Sequence, residues 1–101
     1  MAQFDVYENI NERTREKIPF LLDIQNDILK DLSTRVVIPM IKDIPLARIL
    51  NPRFTINDIE VVLSTSELAS IPLTNIGEKI CSLEKSREEI IGAVDFLITG
   101  F

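Results

Sequence analysis

The first 40 residues alternate apolar and polar side chains with a period of two, a pattern typical of β-strands. In AQFDVYE, Phe4 and Val6 alternate with more polar neighbours, and IPFLLDI resumes the alternation after the charged connection NINERTREK. The β-branched run RVVIPM predicts a buried central strand that ends at Pro39, because proline cannot donate a hydrogen bond to a neighbouring strand. We therefore expect three strands in this part of the chain.

A β-hairpin is predicted in RFTINDIEVVLS. Asn57 and Asp58 join two alternating runs, and both residue types tolerate the left-handed backbone that a tight turn requires. An irregular segment bounded by Pro45 and Pro52 precedes the hairpin. The segment ELASIPL follows it, and Pro72 restricts that segment to an edge strand or an irregular one.

The last predicted element is a helix. Ser86 and Glu89 have the spacing of a capping box, and Gly100 stands where a left-handed helix end is expected. Between them lies an apolar stripe that predicts core packing, and Ile91 widens it enough to leave room for a partner subunit; the stripe consists of Ile90, Val94, Leu97 and Ile98. Strands followed by one helix predict an α+β domain, and we expect residues 1–101 to form a single domain.

Composition disfavours several classes of protein. The net charge of −5 argues against direct nucleic-acid binding, which needs a positive surface. The chain has no histidine, no phosphate-binding glycine loop and no apolar stretch of membrane-spanning length, and its start lacks the pattern of a secretion signal. The single cysteine, Cys81, cannot form an intramolecular disulfide or a cysteine-based zinc site. We expect a cytoplasmic protein without a cofactor, with little provision for catalysis.

Two polar clusters each allow two interpretations. Asp23, Gln25 and Asp27 have the spacing of calcium ligands, but Ile28 and Thr34 stand where a calcium loop needs glycine and an acidic residue, so a polar strand face is favoured and no metal site is expected. The second cluster consists of the cations Arg13, Arg15 and Lys17, which alternate with Glu12 and Glu16. It is either a solvated loop or a binding patch.

Short segments along the whole chain resemble the CcdB toxins of bacterial toxin–antitoxin modules, which poison DNA gyrase. The segments occur in order, at near-constant spacing and within the same total length. They are QF-VY at residues 3–7, D-Q-DI at 23–28, R-VIP at 35–39, AS-P at 69–72, IGE at 76–78 and a terminal helix that ends in glycine and a bulky apolar residue.

The resemblance implies a fold, an assembly and a set of contact residues. The implied fold is a small antiparallel barrel-like β-sheet of about five strands, with a small extra sheet and one C-terminal α-helix, assembled as a twofold homodimer. Thr99 stands where the best-known members carry a tryptophan, and it cannot make the cation–π contact of that residue. The positions that match the family's gyrase-binding residues are Gln3, Phe4, Tyr7, Asn26, Ile28, Asp95, Thr99, Gly100 and Phe101.

The function implied by the resemblance is a non-enzymatic toxin that binds the DNA gyrase A subunit and is neutralised by a CcdA-like antitoxin. We expect the antitoxin to bind the loop that carries Arg13, Arg15 and Lys17, because an acidic disordered segment is attracted to clustered cations. One alternative is an endoribonuclease toxin of the MazF/Kid type, which is disfavoured by the net charge of −5 and the lack of histidine. The other alternative is an antitoxin-binding relative without toxicity.

Overall fold

The computed structural model of the protein describes residues 1–42 and 51–100, in which a curled antiparallel half-barrel sheet precedes one C-terminal helix. The strands in the described residues are β1 (Asp5–Asn9), β2 (Phe20–Asp23), β3 (Thr34–Lys42), β4 (Arg53–Ile56), β5 (Ile59–Leu63), β6 (Ala69–Pro72) and β7 (Ile76–Ser82), and the helix is α1 (Arg87–Thr99). The predicted α+β class is therefore confirmed.

The sheet divides at β3. Its strand order is β4-β5-β3-β2-β1-β7, and β6 is an extra strand that pairs with β3 outside this order. The first part of β3, Thr34–Val37, pairs with β6, whereas its last part, Met40–Lys42, pairs with β5. One long strand thus joins the small β4–β5 hairpin to the rest of the sheet.

The core lies on one face of the sheet and is closed by α1. Period-two alternation explains its composition, because alternate residues of a strand point to the same face. One hydrophobic cluster contains, as the alternation predicts, Phe4 and Val6 of the first strand segment and Phe20 and Leu22 of β2. Helix α1 adds Ile90 to the same cluster. The other buried members are Ile38, Met40, Ile56, Val61 and Leu63.

Pro39 does not end β3, and that part of the prediction is wrong. The strand continues to Lys42, and Pro39 lies opposite Leu21 of β2. The Pro39 carbonyl accepts a hydrogen bond from the Ser64 backbone N–H at 2.9 Å, on the side of β3 where β6 and β5 meet end to end. The missing proline N–H faces that junction, so no ladder hydrogen bond is lost.

The hairpin and the edge strand are confirmed. Asn57 and Asp58 have φ angles of 49° and 65°, which are the left-handed values that a tight hairpin turn requires. The strand that contains Pro72, β6, pairs with β3 alone among the described residues. The predicted irregular segment around Pro45 lies outside the described residues.

Strand β7 was not predicted. It pairs with β1, but two shifts of register interrupt the pairing, one between Val6 and Tyr7 and one between Tyr7 and Asn9. Each shift changes which side chains face the core, so IGEKICS shows no clean period of two.

The start of the helix also differs from the prediction. A 3₁₀ turn, Glu84–Ser86, leads directly into α1, and the Ser86 side chain makes no capping hydrogen bond within the described residues. The Ser82 hydroxyl instead accepts from the Glu84 backbone N–H at 3.3 Å, and Ser82 lies one residue before Leu83, which is the N-cap of the turn. At the other end Gly100 is left-handed with a φ of 80°, as predicted, and its N–H donates to the Phe96 carbonyl. No helix in the described residues is long and apolar enough to cross a membrane.

Candidate functional site

The structure brings four of the sequence-predicted contact residues together, and we call them the N-terminal cluster: Gln3, Phe4, Asn26 and Ile28. The Gln3 backbone N–H donates to the Asp27 carboxylate at 2.9 Å, and its side-chain amide donates to the Ile24 carbonyl at 3.0 Å. The start of the chain is thereby tied along the segment that follows β2.

That segment contains a 3₁₀ turn, Asp27–Leu29, which we call the Ile28 turn. The Asn26 side chain caps it by accepting from the Ile28 backbone N–H at 2.9 Å. The Ile28 side chain is 86% exposed, and Leu29 and Leu32 are exposed next to it in sequence. Neither leucine was a predicted site residue, although the spacing of DILKDL places three large apolar residues in a polar segment.

Phe4 is the buried member of the N-terminal cluster. Its side chain is buried although its φ is 71°, an uncommon backbone conformation for a bulky residue. The Phe4 N–H donates to the Asp23 carbonyl at 2.6 Å, and the Phe4 carbonyl accepts from Leu83 at 2.8 Å. The Arg87 guanidinium lies 5.9 Å from the ring centre. Phe4 is therefore placed to hold the N-terminus against β2 and the helix start, with little surface left for a partner.

Tyr7 is also buried. Its hydroxyl donates to the Asp5 carboxylate at 3.2 Å, and the same carboxylate accepts from the Ala2 N–H and lies 3.4 Å from the Lys79 ammonium. Burial, together with the neighbouring Asp5 charge, raises the pKa of Tyr7 to about 12. Tyr7 thus lies in the interior and, through Asp5, helps to hold the start of the chain at Ala2.

A buried ion pair lies behind the Ile28 turn. Arg35, which is 1% exposed, donates through its Nε to the Asp23 carboxylate at 3.0 Å and through Nη2 to the same oxygen. Burial raises the pKa of Asp23, whereas the Arg35 guanidinium and the Gln25 N–H act in the opposite direction. This pair was not predicted from the sequence. A lone arginine at the start of a buried run was the available signal, because a buried charge needs a partner.

The remaining predicted contact residues lie in the exposed last turns of α1, and we call Asp95, Thr99 and Gly100 the helix tip. The Thr99 hydroxyl donates to the Asp95 carbonyl at 2.7 Å, which leaves the Asp95 carboxylate facing solvent. Phe101, the last predicted residue, lies outside the described residues.

The apolar stripe of α1 is core only in its first half. Ile90 is buried and Val94 is partly buried, but Leu97 is exposed and Ile98 is 72% exposed. The prediction that the whole stripe packs in the core is therefore wrong. Only the first turns of the helix pack against the core of the sheet. The helical spacing of the apolar residues therefore predicted a longer contact between α1 and the sheet than the structure has. Phe96, also exposed, adds to the apolar surface beside the helix tip.

The N-terminal cluster and the helix tip are separate in one chain. Within residues 1–42 and 51–100, no hydrogen bond or ion pair joins them. Arg87, which contacts Phe4, is about 18 Å along the helix from Thr99 at 1.5 Å per residue. A single chain thus presents two separate surfaces with exposed apolar side chains, one at the Ile28 turn and one beside the helix tip, where Phe96, Leu97 and Ile98 are exposed.

The predicted antitoxin-binding cations, Arg13, Arg15 and Lys17, lie on the exposed connection between β1 and β2. Buried Asn9 holds this loop through hydrogen bonds from its amide to the Thr14 hydroxyl and the Ile18 carbonyl. Within the described residues none of the three cations forms an ion pair. Arg15 also borders a cleft of about 350 Å³ whose apolar walls include Phe20, Ile59 and Ile80.

Comparison with known protein families matches this chain to a toxin family. The family model described as CcdB protein matches residues 3–100, which is nearly the whole chain. The match includes the Ile28 turn, the helix tip and the loop that carries Arg13, Arg15 and Lys17, and it ends one residue before Phe101.

Proposed function

The chain belongs to the CcdB family of toxin–antitoxin toxins of the gyrase-poisoning kind, and from that membership we propose that it binds the A subunit of DNA gyrase through two patches, the Ile28 turn and the helix tip. We further propose that it acts as a homodimer, that it poisons gyrase without catalysing a reaction itself, and that a CcdA-like antitoxin neutralises it.

The observation that supports gyrase binding is the presence of exposed apolar side chains at Ile28, one of the family's contact positions, and beside the contact positions of the helix tip. Single exposed apolar residues are normal on a protein surface. Here Ile28 and Ile98 are 86% and 72% exposed, and each has further exposed apolar neighbours. Contiguous patches of this kind favour a protein partner.

We propose that Phe101 provides the aromatic contact that Thr99 cannot make. Gly100 adopts a left-handed conformation that residues with a Cβ rarely adopt, so it ends the helix and redirects the chain. A phenylalanine directly after this turn can enter an apolar pocket on gyrase. Burying that side chain stabilises a complex by about 1.5–3 kcal/mol.

The test is a variant that ends at Thr99. We expect gyrase binding to weaken about ten- to hundredfold, from the area of one phenylalanine, while the thermal midpoint changes little because few contacts form near a free chain end. Growth arrest and gyrase-dependent DNA cleavage should fall in parallel. Full toxicity in the shortened variant would show that the tip is not the effector, and a lost thermal transition would place Phe101 in the core.

Matched variants test the second patch and the class of toxin. Ile28→Ala should weaken gyrase binding, whereas Ile10→Ala, at another exposed isoleucine on the β1–β2 connection, should not.

An RNA cleavage assay with the same purified protein distinguishes the gyrase-binding toxin from the ribonuclease alternative. Growth arrest with RNA cleavage and without gyrase binding would overturn the proposal, and antitoxin binding without growth arrest would identify a non-toxic relative.

The proposed antitoxin site combines charge with an apolar cleft. Arg13, Arg15 and Lys17 are exposed, and Arg15 stands beside the cleft described above. An acidic disordered segment could pair with the cations while an apolar side chain enters the cleft. Replacing all three cations with alanine should slow antitoxin association and flatten its salt dependence, because exposed charges act mainly on the association rate.

The control for that experiment is Lys85→Ala, which removes an exposed cation at the start of the helix region. It should change antitoxin association only slightly. Gyrase binding by the triple variant should be retained, since the loop is not part of either apolar patch. An unchanged association rate and salt slope in the triple variant would exclude the loop as the docking site.

A further inference from the structure

The Ile28 turn is fastened to the sheet by a buried glutamine. The Gln25 side chain accepts from the Val36 backbone N–H at 3.0 Å and donates to the Leu29 carbonyl at 2.8 Å, so it joins β3 to the end of the turn. The Gln25 backbone N–H donates to the Asp23 carboxylate at 3.0 Å. Gln25 is buried, and its side-chain oxygen and amide group each have a backbone partner, so this side chain restricts the conformation of the segment that it holds.

Arg35 extends this network outward. From its buried pair with Asp23, its Nη2 lies 3.5 Å from the Gln25 carbonyl and 3.7 Å from the Asp27 carboxylate. Asp27 is the first residue of the Ile28 turn, and its side chain is 58% exposed. One carboxylate thereby meets a buried cation on its inner side and the Gln3 N–H at 2.9 Å.

We propose that Asp27 and the buried residues Asp23, Gln25 and Arg35 are positioning residues that hold the Ile28 turn in its binding shape. The inference rests on the proposed role of Ile28 in gyrase binding. It assigns the four polar residues no contact with gyrase; they act through Ile28. Binding by a preformed turn avoids the entropy cost of ordering it, which is the general advantage of preorganisation.

Apart from these polar contacts and the Asn26 cap, little holds the Ile28 turn in place. No residue of the Ile28 turn is buried, so hydrophobic packing contributes little to its shape. An exposed isoleucine on a loosely held turn would fold back onto neighbouring apolar surface, because burial lowers its free energy. Hydrogen bonds to the backbone on both sides of the turn prevent this movement and keep Ile28 pointing outward.

Asp27→Ala is the informative change, because Asp27 is exposed and its loss does not disturb the core. The variant removes the acceptor for Gln3 and the contact with Arg35. Asp27→Asn keeps an acceptor oxygen for Gln3, and Asp31→Ala removes the same charge four residues later, where the side chain is exposed. These two variants separate the hydrogen bond from the charge.

The first measurement is residue-resolved amide hydrogen exchange in the free protein, which does not involve gyrase. In Asp27→Ala, exchange of the Gln3, Leu29 and Lys30 amides should accelerate about tenfold, the effect of losing one hydrogen bond to a charged group. Asp27→Asn should restore most of the protection, and Asp31→Ala should leave it unchanged. Unchanged exchange in Asp27→Ala overturns the proposal.

The second measurement is a double-mutant cycle on gyrase binding. Asp27→Ala should weaken binding about fivefold to tenfold in the otherwise unchanged chain, but less than about twofold in an Ile28→Ala background, because a positioning residue has nothing left to position. Additive losses would mean that Asp27 contacts gyrase directly and would overturn the proposal.

The two measurements also separate this proposal from the function on which it rests. If Ile28→Ala binds gyrase normally, the assignment of Ile28 as a contact fails, and the link between the positioning residues and gyrase binding is refuted with it. If Ile28→Ala weakens binding while Asp27→Ala loosens the turn without weakening binding, gyrase contact stands and preorganisation is refuted. Loosening of the turn with a non-additive loss of binding supports both.

Discussion

Raising the pH should destabilise the protein through one side chain, Tyr7. Its hydroxyl is buried and lies 3.2 Å from the Asp5 carboxylate, so the phenolate form would place two negative charges side by side away from water. The pKa of Tyr7 rises from 10.0 in the unfolded chain to about 12 in the folded protein. Because one pKa unit corresponds to about 1.4 kcal/mol, the difference corresponds to roughly 3 kcal/mol.

The sign follows from proton binding. Between pH 10 and pH 12 the folded protein keeps the Tyr7 proton while the unfolded chain loses it. The folded state therefore binds more protons in this window, and the free energy of unfolding falls as the pH rises. Below pH 10 both states are protonated at this residue, and its contribution to stability is fully present.

The assay is direct because the chain has one tyrosine and no tryptophan. Ultraviolet absorbance of the phenolate should titrate with a midpoint near 12 in the folded protein and near 10 in denaturant. Asp5→Asn should lower the folded midpoint, since it removes the neighbouring charge but keeps an acceptor oxygen. In Tyr7→Phe the slope of stability over this pH range should become shallower.

A folded midpoint near 10 would refute this reasoning, because it would show that the hydroxyl is accessible to water and feels little of Asp5. Such a result would also favour a direct role for Tyr7 in partner binding. A midpoint near 12 would instead support its assignment to the interior.

Three further predictions concern packing and assembly. In a denaturant titration, Gly77→Ala should lower the free energy of unfolding by about 1–3 kcal/mol, because an added Cβ would lie 2.9 Å from the Glu8 carbonyl oxygen. In the same titration Gly92→Ala should raise the free energy of unfolding by about 0.5–1 kcal/mol, because an added Cβ at Gly92 meets nothing within 4 Å. Leu63→Ala should cost about 2–5 kcal/mol because Leu63 is fully buried, whereas Leu97→Ala should change monomer stability by less than about 0.5 kcal/mol. Light scattering at micromolar concentration should give twice the 11.5 kDa chain mass, as the resemblance to the CcdB toxins implies; a species of 11.5 kDa alone would refute the homodimer.

The sequence alone determined the features that depend on near neighbours in the chain. Period-two alternation predicted the core residues of β1 and β2, Asn57-Asp58 predicted the hairpin turn, and Gly100 predicted the left-handed helix end. Each of these rests on backbone preferences or side-chain direction within a few residues. Family resemblance added the contact positions, which no local pattern indicated.

Tertiary structure decided whatever depends on a partner distant in sequence. Pro39 continues β3 because β5 and β6 meet beside it, and β7 is hidden from the pattern by its register shifts against β1. Whether Arg35 is solvated or buried depends on Asp23 twelve residues away. The limits of the sheet also determine that Ile98, with the same spacing as a core residue, is exposed. Hydrophobic spacing defines a face of an element, but only the fold determines what covers that face.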